Sequence, residues 1–314
     1  MTSNDLAIGI DIGGTNTSIG IVDSAGNVLE RNGLKTKPYA TFQEFIDALV
    51  HKVKLMMYRF SNASFIGVGV GAPNGNFYTG QIVDAANLPW KGVLPLADLL
   101  HQALHLKVVV TNDANAAALG EKQYGVAKGI NDFIMVTLGT GIGSGFVANG
   151  HLIYGHDGFA GELGHTIAIR NGRQCGCGRK GCLETYASAS GIVRTAEEWL
   201  KEQQVSTILT QQNEPLTSYS IQQAAKAGDE FSIKVFEYTG RILGQSLADA
   251  VAITSPEMIV LFGGLAKAGS LLLEPTKQAM EENLLSIYQN KIPILLSAFE
   301  EGDAAILGAA ALVV

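Results

Sequence analysis

The chain has 314 residues, 47% of them apolar and only 16% charged, with no low-complexity tract, which excludes a disordered protein and leaves room for two domains. A formal charge of −7 and the lack of a basic run exclude a nucleic-acid surface of the usual kind. The opening MTSNDLAIGID has neither the charged nor the apolar region of a signal peptide, and the apolar segment 304–314 is too short to span a bilayer and reads as a buried terminal helix.

In chain order, residues 6–11 read as a buried strand, and a Gly-Gly turn leads to a second strand over 17–23. A turn at 24–27 precedes a third strand over 28–34. Phe42, Phe45, Ile46, Leu49, Val53 and Met56 form one helical stripe, predicting a helix over 42–58. A strand over 65–70, a helix over 94–104 with Pro95 as its start signal, and a strand over 107–111 follow. An alanine-rich helix is expected over 114–124. Residues 133–138 and 142–148 make a second strand–turn–strand unit that loosely echoes 6–27. Such an echo fits two related α/β lobes facing each other across a cleft. Helices are expected over 189–202, 221–226, 230–253 and 273–288, with strands over 258–262 and 293–297. The expected lobes are 1–112, joined by a C-terminal helix at about 300–314, and 113–299.

The first glycine loop is Asp11-Ile12-Gly13-Gly14-Thr15-Asn16. Glycines let backbone N–H groups approach a phosphate, and Thr15 adds a hydroxyl. A carboxylate beside phosphates requires a cation between them, so Asp11 points to Mg²⁺. The same residues also suit a plain Gly-Gly hairpin with an Asx-turn. The loop is neither a Walker A nor a GxGxxG motif. Gly139-Thr140-Gly141 repeats its chemistry, and two such loops suit a split nucleotide site. Gly263-Gly264, after a strand, permits close approach of an adenosine or simply turns the chain. Asp113 reads either as a helix N-cap or as a general base for a sugar hydroxyl attacking a γ-phosphate.

Cys175, Cys177 and Cys182 are the only cysteines, and their spacing suits a tetrahedral zinc site with His165 as fourth ligand. Such a site is closed, so the metal orders a loop rather than activating water, and the thiols indicate a reducing cytoplasm. Free thiols in an oxidation-sensitive loop are the alternative. Glu162 and Glu184 flank the cluster, and each carboxylate can accept two vicinal sugar hydroxyls.

With DIGGTNT (11–17), GVGAPNGN (69–76), NLPWKG (87–92), NDANAAALGE (112–121), LGTGIGSG (138–145), GELGH (161–165), CGCGRKGCLE (175–184) and FGG (262–264), the chain resembles the ROK family of repressors, open reading frames and sugar kinases, in its glucokinase branch. The resemblance spans essentially the whole chain. It implies the actin-like, ribonuclease-H-like pair of α/β lobes, with a C-terminal helix returning to the first. It implies ATP- and Mg²⁺-dependent phosphorylation of a hexose at the 6-hydroxyl, most readily D-glucose, with N-acetylmannosamine, N-acetylglucosamine, allose and fructose as other substrates. Carried across, Asp113 is the base, and Asn112, Glu162, His165 and Glu184 are sugar ligands. Asn74, Gly75 and Asn87 add sugar-loop contacts. Asp11, Gly13, Gly14, Thr15, Gly139, Thr140 and Gly141 line the phosphates, and Gly263 and Gly264 the adenosine. His165 serves zinc and sugar through one nitrogen each. A homodimer or homotetramer is implied, and sugar binding is expected to close the lobes. The repressor branch carries a DNA-binding segment before its first glycine loop, for which the ten residues before Asp11 leave no room. A sugar-sensing regulator and an actin-like scaffold are the competing classes; an intact Asp113 argues against the first and the cysteine cluster against the second.

Overall fold

The computed structural model describes residues 5–202, 205–211, 214–299 and 301–314. In chain order it comprises β1 (Asp5–Ile12), β2 (Asn16–Val22), β3 (Val28–Lys35), α1 (Phe42–Arg59), β4 (Ser64–Gly71), β5 (Ile82–Val83), β6 (Val93–Leu94), α2 (Leu96–Leu104), β7 (Val108–Thr111), α3 (Asp113–Tyr124), β8 (Phe133–Leu138), β9 (Ile142–Ala148) and β10 (His151–Leu152). Then come α4 (Glu184–Ala187), α5 (Ala189–Glu202), α6 (Ser218–Lys226), α7 (Glu230–Thr254), β11 (Met258–Phe262), α8 (Ser270–Asn283), β12 (Ile294–Leu296) and α9 (Glu301–Ala310). Among the described residues no helix is long and apolar enough to cross a membrane.

Ten of the strands form two five-stranded sheets of one pattern, ordered β3-β2-β1-β4-β7 and β10-β9-β8-β11-β12, and β5 and β6 pair antiparallel by themselves. In the first, β1 pairs antiparallel with β2 and parallel with β4, which pairs parallel with β7. In the second, β11 runs parallel to both β8 and β12. The sequence echo between 6–27 and the second strand–turn–strand unit therefore has a topological counterpart.

The first sheet sorts its side chains by size. Leu6, Ile8, Ile10 and Ile12 of β1 and Val68 and Val70 of β4 join the core formed with Phe45, Ile46, Leu49 and Val53 of α1 and Leu96 and Leu100 of α2. Because successive strand residues face opposite ways, Ala7, Gly9, Gly67, Gly69 and Gly71 fall on the other face. A Cβ at Gly9 would collide with the Ile306 carbonyl, and one at Gly69 with the Ala309 carbonyl. The glycine stripe thus lets α9 lie directly on the sheet. Inserting even one methyl there costs about 1–3 kcal/mol where neither backbone can yield.

The same close approach moves the domain boundary. The chain divides into one compact unit of Met1–Ile130, Gly145–Gly161 and Ser297–Val314, and a second of Asn131–Ser144 and Glu162–Leu296. The expected division after residue 112 differs, because α3 belongs with α9: a Cβ at Gly120 would meet the Gly308 Cα at 2.9 Å. Gly145 follows α3 as well, with a built Cβ 2.7 Å from that of Ala118. The expected start of the C-terminal helix at about 300 falls outside the described residues; α9 is helical from residue 301.

Several helices also depart from expectation, α2 starting at Leu96 and α6 at Ser218. The helix expected over 273–288 runs from Ser270 to Asn283 and stops at Leu284, which is extended at ψ 145°. Helix α3 starts at Asp113, one residue early, because Asn112 is its N-cap: the Asn112 Oδ1 accepts from the Asn115 N–H at 2.7 Å.

Candidate functional site

In the first unit, the candidate residues gather at the carboxyl ends of the parallel strands. Asp11 on β1 is in register with Gly71 on β4, and Gly71 with Thr111 on β7, so the following loops leave the sheet side by side. Gly71 separates two carboxylates. A Cβ built there would lie 3.7 Å from the Asp113 Cα and 3.8 Å from an Asp11 oxygen. Asn112 takes the capping duty, and the Asp113 carboxylate accepts from the Ala114 N–H at 2.8 Å and from its own backbone N–H. The carboxylate is therefore not consumed as a cap.

Burial, and then the charge of Asp113, push the Asp11 carboxyl up to about 7. Asp113 itself keeps surface open to solvent, yet the protein packed around its carboxyl raises that group too. Two adjacent carboxyls, both held up by the surrounding protein and one also by its neighbour's charge, are oxygen donors that suit a hard divalent cation such as Mg²⁺.

The loop joining β1 to β2 is pinned from beneath. Buried Thr36 donates its hydroxyl to the Gly13 carbonyl at 2.8 Å, and its N–H goes to the Thr15 carbonyl at 2.9 Å. Only the Gly13 amide is turned inward, to the Asn16 carbonyl at 3.0 Å; those of Gly14 and Thr15 have no backbone acceptor among the described residues. Free amides of this kind are what a phosphate cradle needs. Gly14 also abuts the loop of Asn87, where a Cβ would come 2.8 Å from the Asn87 carbonyl oxygen. That loop is closed by Lys91, whose ammonium donates to the Ala85, Ala86 and Leu88 carbonyls at 2.9–3.0 Å, leaving the exposed Asn87 side chain outward. Asn74 is left-handed at φ 51° and donates to the Val83 carbonyl at 2.9 Å, while Gly75 is pressed against the Thr111 carbonyl.

In the second unit, His165, Cys175, Cys177 and Cys182 present ligand atoms all within 4.8 Å of one another. Cys175 Sγ lies 3.8 Å from His165 Nδ1, and Cys177 Sγ 3.6 Å from Cys182 Sγ. A tetrahedron with Zn–S bonds of about 2.3 Å has edges of about 3.8 Å. The donors and their spacing therefore fit zinc. The loop closes as a small hairpin, with bridges Gln174–Lys180 and Ile167–Cys182.

His165 is turned as two duties require. Its Nδ1 faces the sulfurs, while Nε2 lies 4.0 Å from Glu162. Glu184, at the start of α4, lies 3.0 Å from Cys175 Sγ and 3.7 Å from His165 Nδ1. The cluster thus adjoins both acids. Glu184 also reaches the second glycine loop, since a Cβ at Gly141 would come 2.7 Å from its Oε2.

The first residues of α5 hold that loop. The Ala189 N–H donates to the Gly139 carbonyl at 2.8 Å, and the Ser190 hydroxyl to the Thr140 carbonyl at 2.5 Å. Gly263, left-handed at φ 104°, stacks on the same turn, where a side chain would strike the Leu138 carbonyl at 2.7 Å. Gly139, Thr140, Gly141, Gly263 and Gly264 thereby come together. Thr36, Lys91 and Ser190 are not candidates from the sequence, since a lone hydroxyl or ammonium bonded to backbone leaves no motif. A cavity of about 850 Å³ lined by Trp199, Phe231, Tyr238, Lys234, Arg241 and Glu274 contains none of the candidate residues.

The chain as a whole is similar to known proteins. The glucokinase of Halalkalibacterium halodurans is 38% identical over 282 residues, covering 87% of this chain and 84% of that protein. The crystal structure of a ROK family glucokinase from Streptomyces griseus in complex with glucose and AMPPNP is 32% identical. It superposes with a TM-score of 0.80 over 98% of this chain and 99% of that one. A ROK family transcriptional regulator, a homologue of the E. coli MLC protein, superposes at 0.89 with 25% identity, over 99% of this chain and 78% of the regulator. The fold is the two-lobed, actin-like ATPase fold of these sugar kinases. A model of the ROK family matches residues 7–314, and the chain belongs to that family.

Proposed function

We propose that this protein is an ATP-dependent hexose kinase that converts D-glucose to D-glucose 6-phosphate. The observation that carries the reading is His165, which turns Nδ1 to three cysteines and Nε2 toward Glu162, with Glu184 alongside. A metal cluster that orders two carboxylates and an imidazole is a device for holding a polyol.

In this reading Glu162, Glu184 and His165 Nε2 bind ring hydroxyls, and Asn112, Asn74, Gly75 and Asn87 complete the sugar contacts. Asp113 takes the proton of the 6-hydroxyl as that oxygen attacks the γ-phosphate. Being free of the capping role, its carboxylate can turn to substrate, and its raised proton affinity makes it a better base. Gly13, Gly14 and Thr15 receive phosphate oxygens, as do Gly139, Thr140 and Gly141. Gly263 and Gly264 allow adenosine to lie close. Asp11 would hold Mg²⁺, which would neutralise phosphate charge when bound. His165, Cys175, Cys177 and Cys182 hold a structural zinc that orders the loop ending at Glu184. The protein acts in the cytoplasm, in sugar catabolism, as a homodimer or homotetramer without nucleic acid.

A panel of hexoses and N-acetylhexosamines with ATP, coupled to ADP release, tests this. Glucose should give the highest kcat/KM. A clear preference for N-acetylmannosamine or another sugar would move the assignment within the same chemistry. Sugar binding without turnover would instead favour a sensor, a reading motivated by the fold shared with a regulator.

A further inference from the structure

The second unit contains a buried cation that neither the metal cluster nor the proposed chemistry uses. Arg173 opens the cysteine loop and its side chain is only 8% exposed. Its Nε and Nη2 donate to Glu198 Oε2 at 2.9 and 2.6 Å, and Nη2 also donates to the Thr195 hydroxyl at 2.9 Å. Nη1 donates to the Thr185 carbonyl at 2.7 Å and to the Gly191 carbonyl at 3.3 Å. The guanidinium lies over the Tyr186 ring, 4.5 Å from its centre. The backbone joins in: the Arg173 N–H donates to the Tyr186 hydroxyl at 2.8 Å, and its carbonyl accepts from Gly181 at 2.8 Å.

These partners are not scattered. Thr185 adjoins Glu184, the acid beside the cysteine cluster. Gly191 and Thr195 belong to the first turns of α5, whose Ala189 and Ser190 hold the Gly139 and Thr140 carbonyls. One buried guanidinium therefore fixes both the short helix that presents Glu184 and the helix start that shapes the second glycine loop. A planar fork with five donors can reach all of these acceptors at once, and an ammonium cannot.

We infer that Arg173 is a positioning residue that couples the sugar subsite to the nucleotide loop, independently of the metal. The inference rests on the kinase reading above. Without the guanidinium, Glu184 and the Gly139–Gly141 turn lose their common reference, and the KM values for sugar and ATP rise together. Groups that orient a binding site in this indirect way change affinity or activity about 10–100-fold when removed.

The test is Arg173→Lys, which keeps the charge beside Glu198 and loses the fork, with Glu198→Gln as a milder second variant. Steady-state kinetics with glucose and ATP each varied are expected to show both KM values raised about tenfold in Arg173→Lys and about two- to fivefold in Glu198→Gln. Zinc should remain at the wild-type content per chain. KM values within twofold of wild type, with only a lowered unfolding midpoint, would show a purely structural role and overturn the inference. A rise for glucose alone, or parallel loss of zinc, would overturn it too. If wild-type protein does not turn over glucose, the kinase reading fails separately. Calorimetric ADP affinity of wild type against both variants then decides the coupling, with equal affinities refuting it. Should Arg173→Lys not fold, the same measurements on Glu198→Gln decide between these outcomes.

Discussion

Replacing Asp11 by asparagine isolates the electrostatic cost of the site. Burial and the neighbouring Asp113 raise the Asp11 carboxyl from 3.8 to about 7. Between those values the folded chain keeps a proton that the unfolded chain has released. Stability contributed by the protonated form is thus complete below about pH 4 and is lost as the pH rises through about 7. At about 1.4 kcal/mol per pH unit, the full loss above pH 7 amounts to about 4 kcal/mol. Asparagine still buries a polar amide, which reduces the expected gain to about 2 kcal/mol. Asp11→Asn should therefore lie about 2 kcal/mol below wild type near pH 4 and exceed it by about 2 kcal/mol at pH 8. The assay is urea unfolding across this range in Mg²⁺-free buffer without chelator, so that any bound zinc stays in place. Added Mg²⁺ should narrow the difference at pH 8 by stabilising wild type alone. A stability difference that is constant from pH 4 to pH 8 would refute the argument, because an uncharged packing change has no reason to titrate.

Asp113→Asn should lower kcat by about 10²–10⁴, the range of a lost general base, while calorimetric glucose affinity stays near wild type. Equal losses in both would assign the residue to binding. Cys177→Ser should bring zinc content well below that of wild type, raise the glucose KM about tenfold and lower the unfolding midpoint together. An unaltered KM in the zinc-free variant would break the link between cluster and sugar. Gly141→Ala places a methyl 2.7 Å from Glu184 Oε2, which must swing aside. Glucose KM should rise several-fold with little change in unfolding midpoint, and an unchanged KM would show that Glu184 does not contact the sugar.

What can be read from the sequence divides along a physical line. The strand Phe133–Leu138 and the helix beginning at Ala189 are predicted at their observed positions, because period and punctuation are carried by adjacent residues. The cysteine cluster is legible for a similar reason: its sulfurs lie within eight positions of one another, and only His165 stands apart. Helix α8 is shorter than its pattern predicts, since Leu284, Leu285 and Ile287 continue the apolar run beyond it. Yet Leu285 and Ile287 are 58% and 60% exposed, so no core holds that extension in place. The lobe boundary differs for the opposite reason. Gly69, Gly120 and Gly308 look like ordinary small residues until α9 lies against them, and the contact joins residues far apart in the chain.

Arg173 shows why the candidate site is legible in its chemistry but not in its support. Ligands must be particular residue types at particular spacings, because bonds to a metal or a hydroxyl allow few substitutes. A residue that orients them bonds mainly to backbone carbonyls and helix termini, and any sequence supplies those. Arginine two positions before a cysteine reads as a surface charge until Thr185, Gly191, Thr195 and Glu198 converge on it. Its burial, at 8% exposure, separates the two readings: a desolvated guanidinium with five donor contacts is too costly to keep unless the elements it joins must stay together. The same logic applies to Thr36 under the first glycine loop and Lys91 within the Asn87 loop. Each meets backbone carbonyls, and each holds still a segment whose outward atoms are the ones proposed to meet substrate.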